Sequence, residues 1–189
     1  ICKFTAGRLD VNIPLATESA LVETGQRIVP PKRLPSCDKT IPNGRIGLLV
    51  QEEDLSAINW LSDGCELVAV AGLLSSAAYR KYGIEESVIK FRFDCMRSAL
   101  PEKAEIFSCP NKFAEWAYIQ NLDAVLMAEV PVGIYKDVIL NLESSLASHE
   151  IKIIKRRHWW DTHFYPAARA GFFNFKKSIP SALAKLKQT

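Results

Sequence analysis

Three histidines, five cysteines and one run of three acids are the residues of this chain whose chemistry could serve a reaction. His158 and His163 lie in "HWWDTH" with Asp161 between them. Two ligands on one helix face need an i, i+4 spacing, and this pair is five apart. The fragment holds the letters of a triad, but no G-x-S-x-G nucleophile elbow accompanies it. Solvated or hydrogen-bonded loop histidines are the expectation. Cys2, Cys37, Cys65, Cys95 and Cys109 are odd in number and form no C-x-x-C pair. They predict neither a zinc site nor a disulfide framework, but reduced thiols in a reducing compartment. None has a base nearby in sequence, and Cys95 reads as a small core residue.

The acids are Glu52, Glu53 and Asp54 in "LLVQEEDLSA". A dinucleotide site needs G-x-G-x-x-G after the first strand so that backbone N–H groups can approach a pyrophosphate. Three carboxylates there would repel phosphate. They suit a helix N-terminus, where the macrodipole favours negative charge. A metal carboxylate site is the functional alternative, with Glu129 as the one further acid near by.

Residues 156–177, "RRHWWDTHFYPAARAGFFNFKK", pose a separate question. Trp159, Trp160, Phe164, Tyr165, Phe172, Phe173 and Phe175 are interleaved with basic residues. Such a stretch could stack single-stranded bases. Its cations are spread over more than twenty residues, and the net charge of +3 is too small for the bulk field of a nucleic-acid binder. A surface that meets a protein partner is the reading preferred over nucleic acid.

The elements that must position these groups follow from pattern. Hydrophobic residues make up 48% and charged residues 24% of the 189, as in an ordinary globular chain, and no apolar run is long enough to span a membrane. Residues 1–44 hold five of the ten prolines and read as an extended arm or linker, with one short helix over 16–24. The first residue is Ile; removal of a targeting peptide, with an organellar matrix or stroma as compartment, is one explanation, and an excised domain is another.

From residue 45 the pattern is regular. Strands are expected at 45–50, 66–72, 105–108, 124–130 and 151–157. Helices are expected at 52–61, 73–83, 111–122 (capped by Asn111) and 133–150. Residues 87–101 are expected to open extended and become helical. In the helix at 133–150, Ile134, Val138, Leu142 and Leu146 recur every four residues, with Ile139 beside them. Unbroken apolar strands alternating with amphipathic helices predict a doubly wound α/β fold, with a five-stranded parallel sheet of order 3-2-1-4-5 and helices on both faces. The domains are then an arm at 1–44, an α/β domain at 45–158, and an aromatic exit segment with a C-terminal helix at 159–189. In such a sheet ligands bind at the switch point beyond the first and fourth strands. The crevice candidates there are Gln51, Glu52, Glu53 and Asp54 on one side, and Pro131, Val132 and Gly133 on the other.

Two local words resemble a known family. "LLVQEEDLSAIN" (48–59) is similar to the opening of the photolyase and cryptochrome α/β domain, where a strand runs into an Arg-Asp-Leu-Arg type turn and a helix with a downstream Asp-Asn. Asp54, Leu55 and Asn59 match, while Glu52, Glu53 and Ser56 replace the basic residues of the turn. "WWDTHFYPAARAGFFNFKKSI" (159–179) resembles the end of that domain through Trp160, Thr162, Tyr165, Phe172, Phe175, Lys176 and Lys177. The resemblance covers roughly residues 44–186.

The resemblance implies that FAD, the electron-transfer tryptophans and the lesion pocket belong to a separate helical domain, for which 189 residues leave no room. No cofactor is therefore expected for this chain, and FAD only if such a domain exists. Some members hold an antenna chromophore in the α/β domain, but the altered turn assigns no pocket for one. The expected function is a non-catalytic, photolyase-like docking or scaffold subunit of a larger assembly, with a protein partner covering the seven aromatics. The alternative is the α/β part of a flavin-dependent DNA photolyase or blue-light receptor.

Overall fold

The run IGLLVQ forms the centre of the molecule because a strand covered on both faces can be apolar at every position. In the computed structural model, which describes residues 34, 36–38, 40, 43–168 and 171–186, this strand is β1 (Ile46–Gln51), buried at all six positions. The expected helix at 16–24 lies outside the described residues. β2 (Leu67–Leu73) and β4 (Ala124–Ala128) flank β1 in parallel, with Gln51 opposite Leu73 and Leu49 opposite Met127. β3 (Glu105–Phe107) adds outside β2 and β5 (Lys152–Arg156) outside β4. The order is β3-β2-β1-β4-β5, all parallel, as the sequence predicts.

Alternate residues of the central strands feed two cores. Leu49, Leu73, Val125 and Met127 pack with α4 (Pro110–Ile119) and α5 (Ile134–Ala147) on one face. Leu48, Val50 and Leu126 pack on the other with α1 (Ala57–Trp60), α2 (Ser76–Lys81) and α3 (Glu86–Ala99). The predicted stripe of α5 is buried at Val138, Ile139, Leu142 and Leu146. Each such side chain stabilises the fold by about 1.5–3 kcal/mol. At Gly72 a Cβ would stand 2.6 Å from Met96 Sδ and 2.9 Å from Leu100 Cδ1, so a missing side chain lets α3 lie close on β2.

Three local expectations are corrected. Residues 52–56 form turns, and helix is confined to Ala57–Trp60. Asp54 Oδ1 accepts from the Ser56 N–H at 3.1 Å and the Ser56 hydroxyl at 2.6 Å, a local bond that competes with helical pairing. Residues 86–99 are helical throughout, with no extended opening. Burial of Ile89 and Met96 on one stripe overrides the strand preference of Val88 and Ile89. α4 begins at Pro110 after the extended Cys109, so proline at the first helical position starts it rather than a cap by Asn111. Asn111 Oδ1 instead accepts from Ser145 Oγ of α5 at 2.7 Å. Cys95 is only partly buried on α3.

The chain leaves the sheet after β5 and turns through α6 (Trp159–Phe164), a 3-10 turn at Tyr165–Ala167 and α7 (Phe172–Leu186). No helix among the described residues is long and apolar enough to cross a membrane.

Candidate functional site

Two regions gather side chains capable of chemistry or recognition. The first is the carboxyl end of β1 and β2. Gln51 is 1% exposed, and its Oε1 accepts from the Glu53 N–H at 2.8 Å, while its Nε2 is buried with no partner among the described residues. Glu52 Oε1 accepts from the Tyr79 hydroxyl, and Glu52 Oε2 is buried without a partner among the described residues. Arg92 Nη1 donates to the Tyr79 oxygen at 3.2 Å and reaches Glu53 Oε1 at 3.4 Å, with its guanidinium carbon 5.2 Å from the Tyr79 ring centre. From α5, the buried Tyr135 hydroxyl donates to the Leu73 carbonyl at 2.7 Å.

The electrostatics follow from burial. Desolvation raises the Glu52 carboxyl above its ordinary range, against the Tyr79 hydrogen bond and the Arg92 charge, which both lower it. Burial also pushes the Tyr79 phenol up, helped by its bond to Glu52. Tyr135 is raised in the same way, by burial first and then by the charge of Glu52. Tyr79 of α2 and Arg92 of α3 thus tie down Glu52 and Glu53.

The crevice candidates divide accordingly. Gln51, Glu52 and Asp54 come together in one turn, where Asp54 Oδ2 also accepts from Trp60 Nε1 at 3.1 Å. Gly133 is the exposed N-cap of α5 at φ +147°, beside Val132, which is 93% exposed. Glu129 pairs with Arg157 and accepts from Cys37 Sγ at 3.7 Å. Two grooves of about 610 and 410 Å³ lie over β5 and between α3 and β3, and neither is lined by Gln51, Glu52, Asp54 or Gly133. Among the described residues no group of three or more His, Cys, Asp or Glu is arranged to hold a metal. Tyr79, Arg92 and Tyr135 were not singled out from sequence. They lie far from the turn along the chain and carry no local motif.

The second region is the exit segment. Its rings form a ladder that begins on the α/β body. Trp60 meets His158 edge-on at 5.0 Å, Trp159 stacks on Trp160 at 4.3 Å, Trp160 stacks on Phe164 at 4.9 Å, and Phe164 meets Phe175 at 5.1 Å. His158 Nδ1 accepts from the Trp160 N–H at 3.3 Å as the cap of α6, and His163 packs on Trp159 and Phe164. These histidines serve a helix end and a ring cluster.

Of the seven aromatics, Trp160, Phe164, Tyr165 and Phe175 are half-buried. Trp159, Phe172 and Phe173 are 36%, 63% and 80% exposed. A further exposed ring, Phe91 at 66%, lies on α3 and was not anticipated, because the sequence pattern there was read as opening extended. The site region that faces outward is therefore the exit segment, built on a backing of stacked rings. Comparison with protein-family models, curated proteins and solved structures finds no match for this chain.

Proposed function

We propose that this chain is a non-catalytic, photolyase-like α/β domain that works as a docking subunit of a larger assembly, with the exit segment as its protein-binding surface. One observation carries the reading: Trp159 stacks on the half-buried Trp160, and Phe172 and Phe173 stand exposed on the helix whose Phe175 packs on Phe164. Covering Phe172 and Phe173 alone removes roughly 300 Å² of apolar surface, worth about 7 kcal/mol before the cost of association. Exposed aromatic patches of this kind mark interaction sites.

The crevice supports the same reading from the other side. Its turn carries three acids instead of phosphate-binding glycines, and its acids are bonded to Tyr79, Arg92, Ser56 and Trp60. The family element rests on the words at 48–59 and 159–179 and on the strand order.

The test is the native mass of the full-length protein isolated from its source, measured for the wild type and for Trp159→Ala combined with Phe172→Ala. A stoichiometric assembly that the double variant loses, with unchanged thermal stability of the isolated chain, is the expected result. A soluble wild-type monomer without a partner sinks the proposal. So does a flavin or folate absorbance band in the full-length protein, which would favour the photolyase or blue-light receptor reading.

A further inference from the structure

α7 is more strongly amphipathic than α3, α4 and α5. Its inner stripe packs inward: Phe175 meets Phe164, Ile179 is half-buried and Ala182 is fully buried. A second stripe faces out. At ~100° per residue, Phe172 and Leu183 lie about 20° apart, Lys176 about 40° from Phe172, and Phe173 and Lys177 farther round on the same side. All five are exposed, with Phe173 at 80% and Leu183 at 47%.

Charge is concentrated on the same element. Residues 162–189 contain Arg169, Lys176, Lys177, Lys185 and Lys187 and no acid, whereas the whole chain carries only +3. The rest of the chain is therefore net acidic, and three of these five cations, Lys176, Lys177 and Lys185, lie on α7.

We propose that this outer shoulder of α7 rests on an anionic lipid surface. The shoulder carries two exposed rings and an exposed leucine with lysines between them in sequence. Rings of this kind sink to the headgroup boundary of a bilayer, while lysine stems extend along apolar surface and place their ammonium groups at lipid phosphates. A bilayer accommodates such a shoulder without a preformed groove. A stretch that carries five cations and no acid of its own is attracted to anionic lipid. The two readings share Phe172 and Phe173, whereas Trp159 on α6 belongs to the docking reading alone and Lys176 and Lys177 to the lipid reading alone, so each can be tested without the other.

The experiment is co-sedimentation of the purified full chain with vesicles of phosphatidylcholine containing about 30% phosphatidylserine, against pure phosphatidylcholine vesicles. Binding to the anionic vesicles only, weakening as salt rises from about 0.1 M to about 0.5 M, is expected. Lys176→Glu with Lys177→Glu should weaken it by about 25-fold or more, since each lysine near such a surface contributes about fivefold. Phe173→Ala should weaken it by roughly threefold. Trp159→Ala should bind vesicles like the wild type while losing the protein assembly, which keeps the two proposals separable. No sedimentation with anionic vesicles overturns the inference. Equal binding to pure phosphatidylcholine, or binding that ignores the lysine pair, overturns it as well.

Discussion

The crevice and the exit segment make a controlled comparison within one chain. Both collect residues that draw attention in the sequence: a run of acids in one, a run of rings in the other. In the crevice the acids of the turn face partners from the body: Glu52 meets Tyr79, Glu53 meets Arg92, and Asp54 meets Ser56 and Trp60. In the exit segment Trp160, Phe164 and Phe175 pack one on the next while Trp159, Phe172 and Phe173 stay exposed. A cluster that closes on itself contributes to folding, and a cluster held open by its own backing is available to something else.

Four variants sharpen that contrast, from the largest expected effect to the smallest. Leu142→Ala empties a fully buried position in the core beneath α5. It should cost about 2–5 kcal/mol in urea unfolding and leave vesicle binding of the folded protein unchanged. Tyr79→Phe removes the donor to a buried carboxylate. A loss of about 1.5–3 kcal/mol is expected, and a smaller one would mean that the crevice is open to water after all.

Glu52→Gln acts in the opposite direction. The folded protein raises the Glu52 carboxyl, so it favours the protonated form and is penalised when the group ionises. That penalty is absent below the ordinary glutamate value of about 4.3 and complete above the raised one. The glutamine keeps an acceptor for Tyr79 without the charge. The variant should be more stable at pH 7, and the gain should disappear below about pH 4; a gain independent of pH would break the assignment. Phe172→Ala with Phe173→Ala should change stability by no more than about 0.5 kcal/mol, since both rings are exposed. A larger loss in thermal unfolding would show that these rings serve the fold.

The sheet was legible because its three central strands, β1, β2 and β4, are almost wholly apolar, and strands of that kind alternating with amphipathic helices leave few alternative orders. Elements were harder where local preference and packing disagree. Val88 and Ile89 suggest a strand, yet Ile89 and Met96 share a buried stripe of a single helix. The acids at 52–54 suggest a helix start, yet Gln51 and Asp54 turn their own backbone first. The partners of the crevice were invisible for a different reason. Tyr79 reaches Glu52 across 27 residues and Arg92 reaches Glu53 across 39, and no spacing rule connects such positions. The exit segment could be read as a ring cluster from sequence, but which rings stay outside depends on how α6 and α7 pack.

The margins of the sheet also bear on how the protein behaves at high concentration. An unpaired strand edge is a template on which further chains can grow. On one margin the Asp38 N–H donates to the Lys155 carbonyl at 3.2 Å, and the Lys155 N–H donates back to Asp38 Oδ2 at 3.0 Å, so a single aspartate imitates a neighbouring strand beside β5. On the other margin β3 is three residues long and offers little to copy. Asp38 thus occupies part of one edge and the shortness of β3 limits the other, so neither margin offers a long free template for fibrous growth.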